Sequence, residues 1–381
     1  MPATNTLVPS TAPGHIDLIR SVMPQYWKDV GDLTARNFLT FNMLQQYGSI
    51  TFNHKSHTQV WAARVRQPLV STATENSPIE FQNWDTLIQF QIGNRGYRAT
   101  DFMPEIQELI SNGSPQAITN RYNEKSGDLA QAMVERLSRA FYLNGNAPAN
   151  AADMAGILTA LSYDPGTVTA ADKIALPTGS YCGQNLALGS LGGSWSADLP
   201  TKPNASLARD FPFGQGTSEY DATTPLIVNY GSTAWGTGGT TWATNAVEAV
   251  SFAQTAMIHR GGQSLNGAPP MVVMSSEMMP DLKANFRDKN RQIMPYTNGD
   301  LGFPGNTMTV DGAVYSTDYA VPAGNAFMYL PQYMHAFFLH NQMYSPRGPE
   351  FSMEKNGFLY YVASYGNFKF QPKFLCRFIR V

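Results

Sequence analysis

Charge is scarce in this chain of 381 residues: Asp, Glu, Lys and Arg make up 14% of it, against about a quarter in ordinary soluble domains. The 26 basic and 28 acidic residues leave a net charge of −2. That excludes a basic footprint for gripping nucleic acid and an acidic solvating tail. Cysteine is scarcer still. Cys182 and Cys376 lie far apart, with neither the number for a disulfide framework nor the spacing of a metal site, and a reducing compartment is expected. No apolar run reaches the ~18 residues of a membrane span. Residues 1–30 lack a cationic start followed by an apolar stretch, so no secretory signal is expected and synthesis is placed in the cytoplasm.

What is present is apolar surface without much charge to cover it. Hydrophobic residues are 43%, aromatics 12%, and there are 17 methionines. Interface cores are depleted in Lys and Glu and enriched in aromatics and Met. The composition therefore suits a chain that buries surface against partners. A monomer coated in Ser, Thr, Asn and Gln fits it as well.

Along the chain, residues 1–14 (MPATNTLVPSTAPG) read as a Pro/Thr/Ser-rich arm. Phe38, Phe41 and Leu44 form a helical stripe within a helix over 33–44, which Gly48 ends. From Thr58 the pattern becomes strand-like. A polar tip at 71–78 is followed by a return strand in which Trp84, Thr86, Ile88, Phe90 and Ile92 alternate with other residues. Each arm of this hairpin would reach ~40 Å. A two-stranded hairpin of that length is marginal alone in water, so it must lie on its own domain or on a neighbour.

Ser114-Pro115 reads as an N-cap with proline at the first helical position. The helix runs to Leu143, roughly 43 Å, with Leu129, Met133, Leu137 and Phe141 on one face. Gly127 weakens it locally by about 1 kcal/mol. Arg121, Glu124, Lys125, Asp128, Glu135, Arg136 and Arg139 read as a solvated face. Helices are also expected at 153–161, 242–260 and 277–288. Strands are expected at 225–230, 271–275, 307–315 and 326–330, with 358–364 and 368–381 as a closing pair. Helices interleaved with strands predict a mixed sheet with helices on its faces. Residues 162–241 are loop-rich.

Chemistry is hard to find. Gly231–Gly239 (GSTAWGTGG) sits between strand and helix, the setting of a phosphate cradle, but no Lys-Ser/Thr follows, so a flexible surface loop is expected. His54 and His57 flank Lys55, which disfavours a metal, and no third ligand is near. His335 and His340 lie in an aromatic stretch where a core or interface role is the default. No nucleophile elbow or Cys/His constellation occurs. The sequence gives no catalytic residue, cofactor or metal, and the chain is expected not to be an enzyme.

Four segments resemble, in order, the major capsid proteins of tailed phages. LQQYGSI at 44–50, followed by Trp61, is similar to the approach to the family's hairpin. GNRGYRATD at 93–101 resembles its exit, with Asn94 where an aromatic is usual. FYLNG at 141–145 with AGIL at 155–158 resembles the end of the spine helix. DGAVYSTDYAVPAGN at 311–325 resembles a later segment, with Ala313 where Pro is common. The resemblance spans about 35–160 and 240–381.

The resemblance implies an α+β, Johnson-type capsid fold, shared with encapsulins and the herpesvirus capsid floor. Its parts would be an N-terminal arm (1–50), an extended hairpin loop (51–105) and a peripheral domain with the spine helix and a β-sheet (106–160). A mixed α/β axial domain (161–345, with 161–240 as a possible insertion) and C-terminal strands (346–381) would follow. It implies self-assembly into hexamers and pentamers of an icosahedral bacteriophage head around double-stranded DNA, without sequence-specific binding or a membrane. The hairpin would lie across an adjacent subunit. The expected intersubunit contacts are Trp61, Arg64, Arg66, Trp84, Phe90, Arg95, Tyr97, Arg98, Glu124 and Asp128. Some members weld this loop to a neighbour through a lysine. None occurs here between Lys55 and Lys125, so non-covalent contact is expected. A portal, a separate scaffolding protein and a decoration protein are the expected partners. An encapsulin-like compartment and a phage tail or receptor-binding protein are the alternatives.

Overall fold

The computed structural model describes residues 50–64, 87–106, 115–161, 224–259, 269–288, 312–339 and 345–380, with shorter pieces at 173–186 and 308–310 and the single buried helical residue Leu44. The early strands are β1 (Ile50–His54), β2 (Thr58–Arg64), β3 (Leu87–Gly93) and β4 (Arg95–Pro104). Helices α1 (Pro115–Tyr142) and α2 (Ile157–Leu161) follow, then the short strands β5 (Ile174–Ala175), β6 (Ser180–Tyr181) and β7 (Gln184–Asn185). Next come β8 (Leu226–Asn229), α3 (Trp242–His259), β9 (Met271–Met274) and α4 (Met278–Asp288). The chain closes with β10 (Met308–Val310), β11 (Ala313–Thr317), β12 (Ala326–Tyr329), β13 (Met334–Leu339), β14 (Ser345–Ser352), β15 (Gly357–Phe370) and β16 (Leu375–Ile379).

These elements form two compact units. The first contains Gly96–Arg136 and Asn341–Tyr365. Here β14 and β15 pair antiparallel from Ser345↔Ala363 to Ser352↔Gly357, with an irregularity between Arg347 and Glu350. Asn356 takes a φ of 49° in the connecting turn, a conformation its short amide tolerates. Strand β4 lies against β15 so closely that a Cβ on Gly357 would meet Met103 O at 2.4 Å. The helical stripe is in place: Leu129 and Met133 are buried. The expected solvated face is only partly so, since Lys125 Nζ reaches Asp101 at 2.7 Å and Arg136 lies 5.0 Å from the Tyr97 ring centroid.

The second unit holds the larger core. Its seven-stranded sheet runs β10-β11-β9-β12-β16-β8-β5. β9 pairs parallel with β11, and β16 with β8. β12 runs antiparallel to both β9 and β16. Strands buried along their whole length read as continuous apolar runs. LIVN, MVVM and AFMY are such runs, buried at every position. Val250, Ala253 and Met257 of α3 and Leu282 of α4 join the same cluster as Val272 and Met328 of the sheet. Also in this unit, β13 pairs parallel with β1 and antiparallel with the end of β15. The last residues of α1 plug in here: the Phe141 ring meets Phe368 and Phe370 edge-on at 5.3 and 5.4 Å.

Three expectations change. The strand expected at 307–315 is a hairpin, β10–β11, because Gly312 adopts a φ of 78° and turns the chain. The two C-terminal strands are not a closing pair. β15 runs on through Gly366 to Phe370, and the turn Pro372–Phe374 sends β16 to β12 and β8 instead. The Gly231–Gly239 loop is tied down. Trp235 is buried and donates to Asn229 O at 2.9 Å. Asn245 Nδ2 bonds Tyr230 O and Gly239 O at 2.7 and 2.8 Å.

Candidate intersubunit surface at the hairpin root

The root of the hairpin belongs to the second unit. β2 and β3 pair antiparallel with Thr58↔Gly93, Trp61↔Phe90 and Arg64↔Leu87. Period-two alternation then divides the side chains between two faces. On one, Phe90 and Ile92 are buried, and Trp61 stacks on Phe90 with centroids 5.5 Å apart and planes 10° apart. On the other, Val60 and Leu87 are 43% and 55% exposed, and Ala62, Arg64, Gln89 and Gln91 are exposed beside them.

The inward face has a seat. Phe90 meets Tyr181 at 6.5 Å, and Lys369 Nζ lies 4.9 Å from the Trp61 ring centroid. The β6–β7 hairpin edges β3: Gln91 N donates to Cys182 O at 3.3 Å, and Gln184 Nε2 to Gln89 O at 2.7 Å. Its turn, Cys182-Gly183, has φ of 52° and 83°, the mirror-type turn that matches strand twist. Asn94 N donates to His57 O at 3.1 Å, and Asn94 Nδ2 to Ser56 O at 2.6 Å.

Of the expected contact residues, Arg64 and Arg95 are exposed in the second unit. Trp61 is half-buried on Phe90. Phe90 is 3% exposed, its ring buried in its own unit. In the first unit, Tyr97 stacks with Arg136, Arg98 Nε donates to Tyr365 Oη at 2.7 Å, and Asp128 is exposed on α1. Glu124 is on α1, its side chain outside the described residues. Arg66 and Trp84 also lie outside them. Sequence reasoning missed Tyr181, Asn367 and Lys369. No local signal marks them, because they meet the hairpin only through the fold.

The two titratable groups that back the root are held in their neutral forms. Burial, and secondarily the neighbouring Cys182, pushes the Tyr181 phenol well up. Burial pushes the Cys182 thiol up to about 12, the opposite of an activated nucleophile. A cleft of about 180 Å³ beside the root is lined by Gln91, Arg95, Asn146, Asp153 and Thr159 among others. Two of its polar side chains are engaged within the unit: Asn146 Nδ2 donates to Ser180 O and Thr159 Oγ1 accepts from Gly145 N. At the glycine-rich loop, Glu248 Oε2 already accepts from Gly236 N at 3.2 Å, putting negative charge where a phosphate would sit. Among the described residues no group of three or more His, Cys, Asp or Glu could hold a metal. No helix among them is long and apolar enough to cross a membrane.

The fold is similar to that of chains in phage and GTA capsids. Over nearly its whole length the fold is similar to a chain of the cyanophage A-1(L) capsid, with a TM-score of 0.58, 12% identity, and coverage of 94% of this chain and 98% of that one. It is also similar to the capsid of an empty GTA particle, with a TM-score of 0.52, 12% identity, and coverage of 92% and 99%. For the mature capsid of bacteriophage PhiM1 the TM-score is 0.50 at 10% identity, with coverage of 93% and 89%. At these identities the likeness is one of fold. No protein-family model matches the sequence, and no curated protein does.

Proposed function

We propose that this chain is a major capsid protein: a structural subunit, not an enzyme, that assembles into the hexamers and pentamers of an icosahedral phage head. The observation that carries the reading is the full-length likeness in fold to the cyanophage capsid chain. The hairpin root supports it. One face rests on its own unit, and the other leaves Val60 and Leu87 open, a surface suited to an adjacent subunit. Contact is non-covalent in this reading. The shell encloses double-stranded DNA without reading its sequence, consistent with a net charge of −2. A separate scaffolding protein and a portal complete assembly.

Electron microscopy of the purified protein, with and without the products of neighbouring genes, tests this. Closed shells of hexamers and pentamers are expected. A trimeric fibre, or a monomer under every condition, would overturn it. A ladder of covalent oligomers from those shells on denaturing gels would overturn the non-covalent part.

A further inference from the structure

Beside the β6–β7 hairpin, one short stretch of β15 supplies several holds on the hairpin root. Asn367 Nδ2 donates to Gly93 O at 2.7 Å. Lys369 Nζ sits over Trp61. Phe370 N donates to Tyr181 Oη at 2.9 Å, and Tyr181 backs Phe90. Asn367 is itself fixed, its Oδ1 accepting from Ala155 N at 2.9 Å. Of these holds, the lysine is the one that burial should disfavour. Burial lowers its pKa, and among the described residues no carboxylate pairs with it. Its register partner across β13 is His335, which supplies no negative charge. A half-buried ammonium gains from a partner. The one present is the face of an indole, whose quadrupole attracts cations more strongly than other rings do.

We propose that Lys369 is the positioning residue of the hairpin: its ammonium latches the Trp61–Phe90 stack onto β15 and so sets the direction in which the hairpin leaves its unit. This deepens the capsid reading and rests on it for its consequence, since a subunit whose hairpin leaves at the wrong angle cannot meet its neighbour. The latch itself is a property of the single chain. It is electrostatic and acts on one face, so it can be loosened without dismantling the core.

The test is hydrogen exchange on the full chain before assembly, comparing Lys369→Met and Lys369→Arg. Methionine keeps the length and apolar stem but removes the charge, whereas arginine keeps a cation that stacks on indole. Amides of 58–64 and 87–93 should exchange on the order of 3- to 30-fold faster in Lys369→Met. Lys369→Arg should restore the parent rates, and the strands of the seven-stranded sheet should be unchanged in both. Parent-like exchange in Lys369→Met, or no rescue by arginine, would overturn the latch. Uniformly faster exchange would also overturn it, assigning Lys369 a general packing role. Shell formation by the parent chain is scored separately by microscopy. Its failure would remove the capsid reading and leave the exchange result standing.

Discussion

Replacing Gly156 with alanine should destabilise the second unit sharply, and the magnitude follows from what the new methyl would meet. An ideal Cβ at Gly156 lies 2.4 Å from Ala140 O, 2.6 Å from Leu143 N and 2.6 Å from Leu143 O. All three are backbone atoms at the end of α1, so no side-chain rotation relieves the clash. Relief requires moving the helix end by about 1 Å, an overpacking cost of roughly 1–3 kcal/mol. The same movement strains the lock in which Thr159 Oγ1 accepts from Gly145 N at 2.7 Å, worth about 1 kcal/mol more. A loss of roughly 2–4 kcal/mol corresponds to a fall in melting temperature of about 5–12 °C for a unit of this size. Gly93→Ala is the matched control in the same unit. Its Cβ would meet nothing within 4 Å, so restricting the unfolded chain should stabilise by about 0.4–1 kcal/mol. Scanning calorimetry of the unassembled chain reads both. A Gly156→Ala transition within about 1 °C of the parent, or a Gly93→Ala transition that falls as far as Gly156→Ala, would refute the reasoning.

Gly127→Ala should raise the stability of α1 by about 1 kcal/mol, because a Cβ there also meets nothing within 4 Å; a lowered melting transition for the first unit would contradict it. Cys182, with its thiol pushed up to about 12, and Cys376, fully buried, should both resist a thiol reagent at pH 8 until the chain is unfolded. One rapid equivalent in the native protein would count against that placement. Burial, and secondarily Lys369, lowers the pKa of His335. The folded chain therefore favours the neutral ring, and its stability holds above the ordinary histidine pKa of about 6.5. Stability should decline as pH falls below that, until the folded-state value is passed. Urea midpoints at pH 7.5 and pH 5 should differ less in His335→Gln than in the parent, and equal differences would remove His335 as the cause.

Local periodicity made part of this fold legible. Leu129, Met133, Leu137 and Phe141 repeat every four residues, and Ser114-Pro115 and Asn144-Gly145 bracket them. The expected helix over 115–143 and the observed Pro115–Tyr142 therefore agree to one residue. The apolar runs MVVM and AFMY were as readable, since strands buried on both sides leave no competing pattern. What failed was partnership. Nothing in the stretch 358–381 says that its two strands part company at Pro372. That outcome depends on β8, β12 and β13, which lie far away in sequence. The β10–β11 hairpin did have a local signal: Asp311-Gly312 is a dipeptide that favours a two-residue hairpin turn, and the expectation of one continuous strand gave it too little weight.

The hairpin shows the same limit at the level of function. Its sequence is apolar on alternate residues and partly apolar between them, which suggested burial on both sides by a neighbour. In the fold, the side bearing Trp61, Ile88, Phe90 and Ile92 is taken up by Tyr181 and Lys369 of the same unit, residues separated from it by about ninety positions or more. Only the Val60, Ala62 and Leu87 side is left. Under the proposed capsid function, a neighbouring subunit would approach the root from that side, and Arg64, exposed next to those residues, would be the charge placed to select it. A two-faced sequence pattern thus resolves into one intramolecular face and one available face. Which is which could not be read from the hairpin itself, because the residues that decide it lie elsewhere in the chain.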